Sequence, residues 1–311
     1  MRSSLVCSLV LSLAACEGNA TSGIDGGGPG QDGGGGPDGG GTGDGGGGES
    51  FRLIASSFTL GPDGDEKWQC ERKTLTEDVW ISRFTPIAPT GTHHTLLAID
   101  NNPDADGTTD CGVSIQTDWT VLFASGLGSP ELNMPEGVAV HLAAGTQIVL
   151  DLHLYNFGST ALSETSAIDV LSADPATIHD EAEVILVGQP SFSFSTMGYP
   201  TLDFSCNTNG QTNFFAVFPH MHQMGFHAKV DLTISGVTQT VYDEPYDFEQ
   251  QWFREYDPIA MNSGDTIKIT CTWYNPDGRT VNFGESSDQE MCFAISYRYP
   301  PRGGSLGPFC F

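Results

Sequence analysis

Short runs of β-branched and aromatic residues, punctuated by Gly, Pro, Asn and Asp, mark this chain as all-β, with two tandem antiparallel β-sandwich domains and few helices. Eleven segments carry that pattern between residues 51 and 299. No stretch keeps a 3.6-residue apolar period over three turns, which leaves little room for α-helix. A break in the pattern near Gly188–Gly198 divides the body into residues 51–187 and 188–311.

The chain starts Met-Arg, runs through Leu5, Val6, Leu9, Val10, Leu11 and Leu13, and reaches Leu13-Ala14-Ala15-Cys16. A basic start, a short apolar core and small residues before a cleavage point predict a signal peptide over residues 1–15, too short to span a bilayer. Its last four residues resemble a bacterial lipobox, which predicts lipidation of Cys16. An ordinary signal peptide holding a chance cysteine is the plainer alternative. Residues 16–50 follow as a flexible linker. From Gly26 to Gly48 the chain is almost wholly Gly and Asp, with nothing to bury against its ordering entropy. The expectation is an exported protein, lipid-anchored to the cell envelope or secreted. Glu17 is unlike an inner-membrane retention signal, so the outer membrane is preferred.

In the body the strand-like runs are Phe51–Leu60, Val79–Pro86, His93–Ile99, Trp119–Ser125, Val138–Leu142, Gln147–Tyr155, Ala182–Val187, Asn213–His222, Ala228–Ile234, Thr266–Trp273 and Met291–Tyr299. Within Gln147–Tyr155, Ile148, Leu150, Leu152 and Leu154 share one face, and Asp151, His153 and Tyr155 share the other.

Twelve Lys and Arg stand against 39 Asp and Glu, a formal charge of −27. Phosphate contacts need cationic side chains, so nucleic acid and anionic lipid are not expected partners, and any membrane contact is through the lipid anchor. Of eight cysteines, Cys7 leaves with the signal and Cys16 is lipidated, leaving six. An even count in an exported chain favours three disulfides, with 15 pairings open. No Cys-x-x-Cys is present, so neither a zinc ribbon nor a thioredoxin-type motif is indicated.

The histidines are grouped. His220-Met221-His222 puts two imidazoles on one side of a strand, a metal-binding geometry shared by zinc and copper sites. The adjacent His93 and His94 would oppose each other on a regular strand. Both reach one metal only at a bulge or a strand end. Each pair alone is weak, because single motifs often match by chance.

The order of all of them is specific. Gly91-Thr92-His93-His94-Thr95, Leu152-His153-Leu154, Phe218-Pro219-His220-Met221-His222 and Glu290-Met291-Cys292 follow one another along the body. The chain thereby resembles the copper type II, ascorbate-dependent monooxygenases, the family of peptidylglycine α-hydroxylating monooxygenase and dopamine β-monooxygenase. The resemblance covers nearly all of the body and implies two jelly-roll-like domains with an open cleft between two copper ions. It implies His93, His94 and His153 as ligands of an electron-transfer copper, and His220, His222 and Met291 as ligands of a catalytic copper. Three imidazoles suit both oxidation states of copper, whereas a thioether favours Cu(I). It also implies the disulfides Cys70–Cys111, Cys206–Cys310 and Cys271–Cys292. The implied reaction hydroxylates a substrate C–H bond with O2 and an external reductant such as ascorbate as co-substrate. An exported copper-binding or carrier protein that keeps the ligands without turnover is the alternative.

The peptide-amidating members hold a substrate carboxylate with an Arg, an Asn and a Tyr. Phe218, Phe293 and Ile295 stand at those positions here. An unpartnered buried carboxylate is strongly disfavoured, so the expected partner is an apolar or aromatic small molecule. Tyr297-Arg298-Tyr299-Pro300 brings the chain nearer the dopamine-hydroxylating branch. Met224 and His227 lie near the His-x-His but off the family pattern, and His141 and His179 have no partner at ligand spacing. The segment 102–107 starts like a calcium loop yet lacks the acidic twelfth residue, which favours a plain acidic turn. A zinc hydrolase is disfavoured by the methionine, and a blue-copper carrier by the disulfide expected at Cys292.

Overall fold

The alternating segments fold as strands in the computed structural model, which describes residues 48–112, 118–284, 286, 288–302 and the backbone of the strand Ser305–Cys310. The expected signal peptide, Cys16 and most of the Gly/Asp-rich linker lie outside the described residues. Every one of the eleven expected strands is present within a few residues of its expected ends. Among the described residues the one helical element is the 3-10 turn Pro175–Thr177, capped by the Asp174 carboxylate accepting from the Ala176 N–H. No helix among them is long and apolar enough to cross a membrane.

Strands of residues 50–181 pair only with one another, in two sheets. The first runs in the order Ser50–Leu60, Leu162–Ser172, Val79–Ile87, Val138–Leu142 and Asp180–Glu181. The second runs Gly107–Asp110, Asp65–Thr74, Gln147–Asn156, Thr92–Asp100 and Trp119–Gly126. Phe58, Ile81, Phe84 and Ile168 from the first meet Leu97, Phe123, Leu150 and Leu152 from the second in one buried layer. Strands of residues 183–310 form a further five-stranded sheet, Arg254–Met261, Thr212–His220, Phe293–Tyr299, Glu183–Gly188 and Ser305–Cys310. A four-stranded sheet packs against it: Thr201–Asn207, Thr266–Trp273, Gly225–Ile234 and Val237–Pro245.

The five-stranded sheet of the C-terminal half is buried on both faces. Phe214, Val217 and Ala294 face Val230, Leu232, Ile269 and Trp273 of its own half. Leu186, Phe218, Ile295 and Tyr297 join the core of the N-terminal half instead. Residues 44–311 thus form one compact unit. The segment 248–255 reinforces the join. Phe253 packs against Phe123, with centroids 5.2 Å apart, and against Phe218 at 5.1 Å. Trp252 Nε1 donates to the Leu127 carbonyl at 3.2 Å, Ser129 donates to the Gln251 carbonyl at 2.7 Å, and the Asn133 N–H donates to Glu255 at 2.8 Å. A Cβ at Gly126 would stand 3.1 Å from the Gln251 backbone oxygen, a tight approach that a side chain there would push apart by a few tenths of an ångström. Truncating a side chain buried like Phe253 costs about 3–5 kcal/mol of folding stability.

Candidate metal centre

The adjacent histidines reach one side through a bulge. Pairing of Thr92–Asp100 with Gln147–Asn156 shifts register between Thr92 and His94, so His93 is the extra residue. Gly91 precedes it at φ +95°, with Leu60, Leu162 and Phe58 filling the space a side chain would need. His94 is the strand partner of His153, and His153 is flanked on its other side by Trp68. The His93 and His94 Nδ1 atoms face each other at 3.0 Å. One ligand atom from each of His93, His94 and His153 lies within 4.8 Å of the others.

His153 is held from outside the cluster. Its ring stacks on Trp68 at 4.7 Å with planes 7° apart, and its Nε2 bonds Glu66 at 2.7 Å. A carboxylate only accepts, so the Nε2 carries the proton and the Nδ1 presents its lone pair. That Nδ1 is buried with no hydrogen-bond partner. An orphaned buried lone pair beside two further imidazoles is the arrangement a metal ion satisfies. Glu66→Ala is expected to weaken copper binding at this set by about 10–100-fold, measured by competition with a chelator. An unchanged affinity would show that Glu66 does not orient the ring.

The second set forms where two strands end. His220 closes the strand Thr212–His220, whereas Met221 and His222 lie just beyond it, so the strand ends two residues earlier than expected. The two imidazoles still converge, with ring centroids 5.2 Å apart, while Met221 points into the other core. Gln251 Nε2 donates to the Phe248 carbonyl, which aims its Oε1 at His220 Nδ1, 2.7 Å away. His222 Nδ1 donates to the carbonyls of Ser286 at 3.1 Å and Gln289 at 3.2 Å. Both Nε2 atoms are therefore left free to ligate. His220, His222, Met291, Phe218 and Ile295 line one small cavity with His94, with about 40 Å³ open to the centres of water-sized molecules. Phe293 is not part of its lining. It is buried with its ring edge-on to Phe283 at 6.0 Å.

Met291 precedes the strand Phe293–Tyr299 and is fixed by two groups. The disulfide Cys271–Cys292 ties its neighbour to the strand Thr266–Trp273 of the facing sheet. Glu290, fully buried, accepts from the His222 N–H at 2.9 Å, the Met224 N–H at 2.6 Å and Trp273 Nε1 at 2.8 Å, and also from the Met291 N–H. Burial pushes its carboxyl up to about 7, against the opposing pull of these donors. Burial likewise lowers the five imidazoles. His93 falls to about 3 and His153 to about 4, His220 is lowered, and His94 and His222 lie well below the ordinary value. Neutral imidazole is the ligating form, so the pocket holds these side chains ready for a metal.

The expected open cleft is corrected by this geometry. The ring centroids of His94 and His220 are 5.5 Å apart, so the two sets abut. Phe248 of the bridging segment covers His93 at 3.9 Å. Glu66, Trp68 and Gln251 gave no signal in the sequence. Glu290 was visible only as the residue before Met291.

Other candidates fall elsewhere. His227 pairs with Asp243 at 3.2 Å, Met224 packs on the C-terminal core, His141 stacks on Trp80 at 4.0 Å, and His179 is exposed. Asp106 accepts from Thr74 and Gln147, which makes the segment 102–107 the plain acidic turn expected. Cys70–Cys111 forms as expected, so the nearby Asp151 and the two sulfurs offer no thiolate for a metal. Cys206 is disulfide-bonded, while the side chain of Cys310, its expected partner, lies outside the described residues.

Fold and donors together define a class: an all-β protein whose buried imidazoles and thioether suit copper, a metal of both hard and soft states. Residues 176–304 match the family described as copper type II ascorbate-dependent monooxygenase, C-terminal domain. That segment, which holds His220, His222 and Met291, makes the C-terminal half of the chain similar to the C-terminal domain of the copper type II ascorbate-dependent monooxygenases. Among solved structures, dimeric latent PorU from Porphyromonas gingivalis is similar over 72% of this chain, at 10% identity and a TM-score of 0.17. The chain spans 25% of that protein's length, and the likeness carries no argument.

Proposed function

We propose that this protein is a two-copper monooxygenase that hydroxylates a substrate C–H bond with O2 and an external reductant such as ascorbate. The observation that supports this most is the meeting of four buried imidazoles, the half-buried His94 and one buried thioether as two adjacent donor sets. His93, His94 and His153 would hold the electron-transfer copper, and His220, His222 and Met291 the catalytic one. Bound copper would supply one-electron redox chemistry and oxygen activation.

The chain's own residues supply the rest. Gln251 and the carbonyls of Ser286 and Gln289 orient the His220 and His222 rings through Nδ1. Leu96, Ala124, Phe218 and Ile295 keep the cavity apolar, which favours O2 and an apolar or aromatic C–H bond over charged groups. The short path between His94 and His220 supports direct electron delivery between the sets. Disulfides in the body fit an exported chain, and the lipobox fits a lipid anchor at Cys16.

Copper per chain is the deciding measurement. The copper-loaded, desalted protein is expected to hold two, falling to one in His153→Ala or Met291→Leu, and to consume oxygen with ascorbate and an oxidisable aromatic substrate. Zero or one copper in the unaltered protein would overturn the two-site reading. Two coppers without oxygen consumption would favour the copper carrier.

A further inference from the structure

A second, larger cavity of about 400 Å³ lies against the other side of the His93/His94/His153 set, within the size range of small-molecule sites. His93 is the one candidate ligand that lines it. Its walls include Leu127, Tyr155, Phe157 and Leu162, and Glu249 stands among them as the acidic group. The Tyr155 and Phe157 rings lie 4.0 Å apart at 50°, making an angled aromatic wall. Phe157 is 62% exposed and Leu127 42%, an unusual outlay of apolar surface at the mouth of a pocket.

The charge of this site narrows its ligand. No lysine or arginine lines the cavity, Glu249 does, and the whole chain carries −27. An anion entering here meets no cation and an unfavourable field. A flat neutral ring with hydroxyl groups fits instead. It can stack on Tyr155 and Phe157, bury its carbon edges against Leu127 and Leu162, and donate a hydroxyl to Glu249.

We propose that this cavity binds a neutral hydroquinone-class molecule as the electron donor, in preference to an anion such as ascorbate. The inference rests on the two-copper reading. Oxidation of one hydroquinone breaks two O–H bonds and leaves a quinone. It releases two electrons, one for each of two cupric ions, and two protons, which pass to solvent at the exposed Glu249 edge. His93 belongs both to the cavity lining and to the first set, so a molecule bound here sits beside that set.

Two measurements test this. Equilibrium dialysis of the metal-free protein under argon is expected to show one methylhydroquinone bound per chain, with ascorbate bound at least tenfold more weakly. Phe157→Ala and Leu127→Asp, both at exposed positions, are each expected to weaken that binding at least fivefold. Equal or tighter binding of ascorbate, or an affinity indifferent to both variants, would overturn the proposal. With the copper-loaded protein, anaerobic loss of the Cu(II) signal is expected to saturate with methylhydroquinone at the dialysis affinity. It is also expected to slow in the same two variants. A rate that rises linearly and ignores both variants would remove the electron-donor role. Failure to load two coppers would overturn the underlying two-copper reading, and dialysis would still show separately what the cavity binds.

Discussion

Glu290→Ala is expected to lower the melting temperature of the protein by about 10 °C or more. The carboxylate is the shared acceptor for the His222, Met224 and Met291 N–H groups and for Trp273 Nε1, and the whole side chain is buried. Each buried donor left unpaired costs about 1–3 kcal/mol, and even with partial relaxation the sum is several kcal/mol. In a chain of this size, roughly 2–4 °C is lost for each kcal/mol. Glu290→Gln keeps the shape but turns an NH2 toward donors, so an intermediate loss is expected. Copper at the His220/His222/Met291 set should leave more readily in both variants, because Glu290 fixes the backbone of two of its three ligands. A melting shift under about 3 °C in Glu290→Ala would mean that these donors find other partners, and the positioning role would fail.

Acid should unfold the metal-free protein at a pH where most proteins remain stable. The five ligand imidazoles have folded-state values below the ordinary 6.5, with His93 near 3 and His153 near 4. A depressed value means the unfolded chain binds the proton more readily. The stability they contribute is therefore complete above pH 6.5 and is lost as pH falls toward 4 and 3. His93 and His153 each lose about 1.4 kcal/mol per pH unit in that window, or roughly 2 kcal/mol by pH 5. Glu290, raised to about 7, acts in the opposite sense, its contribution being full below its ordinary value and lost as pH rises through 7. Five groups against one leaves a net loss of stability as pH falls below 6.5. Thermal unfolding of the metal-free protein between pH 7 and 5 is the check. A flat melting temperature across that range would show that the imidazoles are not buried neutral. Copper-loaded protein should resist to lower pH, because ligation competes with the proton.

The sequence made the strands legible wherever one face is apolar. Gln147–Asn156 alternates cleanly, and the structure buries it almost throughout, with leucines on one face and His153 on the other. Strands without that contrast were not visible. Asp65–Thr74 reads as a charged segment, yet it pairs on both sides and carries Trp68 and Glu66 to His153. Val237–Pro245 is a mostly exposed edge strand with no apolar period to detect. Leu162–Ser172 mixes Ser, Glu and Thr through its first half and becomes apolar only near Ala167.

The site divides in the same way. The six ligand candidates were legible because imidazoles and a thioether are rare and their order is specific. Their convergence at a bulge or a strand end was foreseeable from the adjacent histidines, and the structure has the bulge. The supporting groups were not. Gln251 sits in a polar loop whose value comes only from where the loop lands, some 30 residues from His220 in sequence. The closeness of His94 and His220 follows from the packing of whole sheets and from Phe253, neither of which has a local signature.

The Cys271–Cys292 bond also bears on the order in which this protein is assembled. Before oxidation, Cys292 would offer a thiol beside Met291. A thiolate is a stronger soft ligand than a thioether and would outcompete it for cuprous ion. Copper supplied in a reducing compartment would therefore be drawn to the wrong sulfur and would block the bond that should form there. Oxidation first and metal second is the sequence that avoids this trap. For the copper proposed at Met291, the disulfide would thus act as a checkpoint, because only the oxidised chain presents the thioether with no competing thiol beside it.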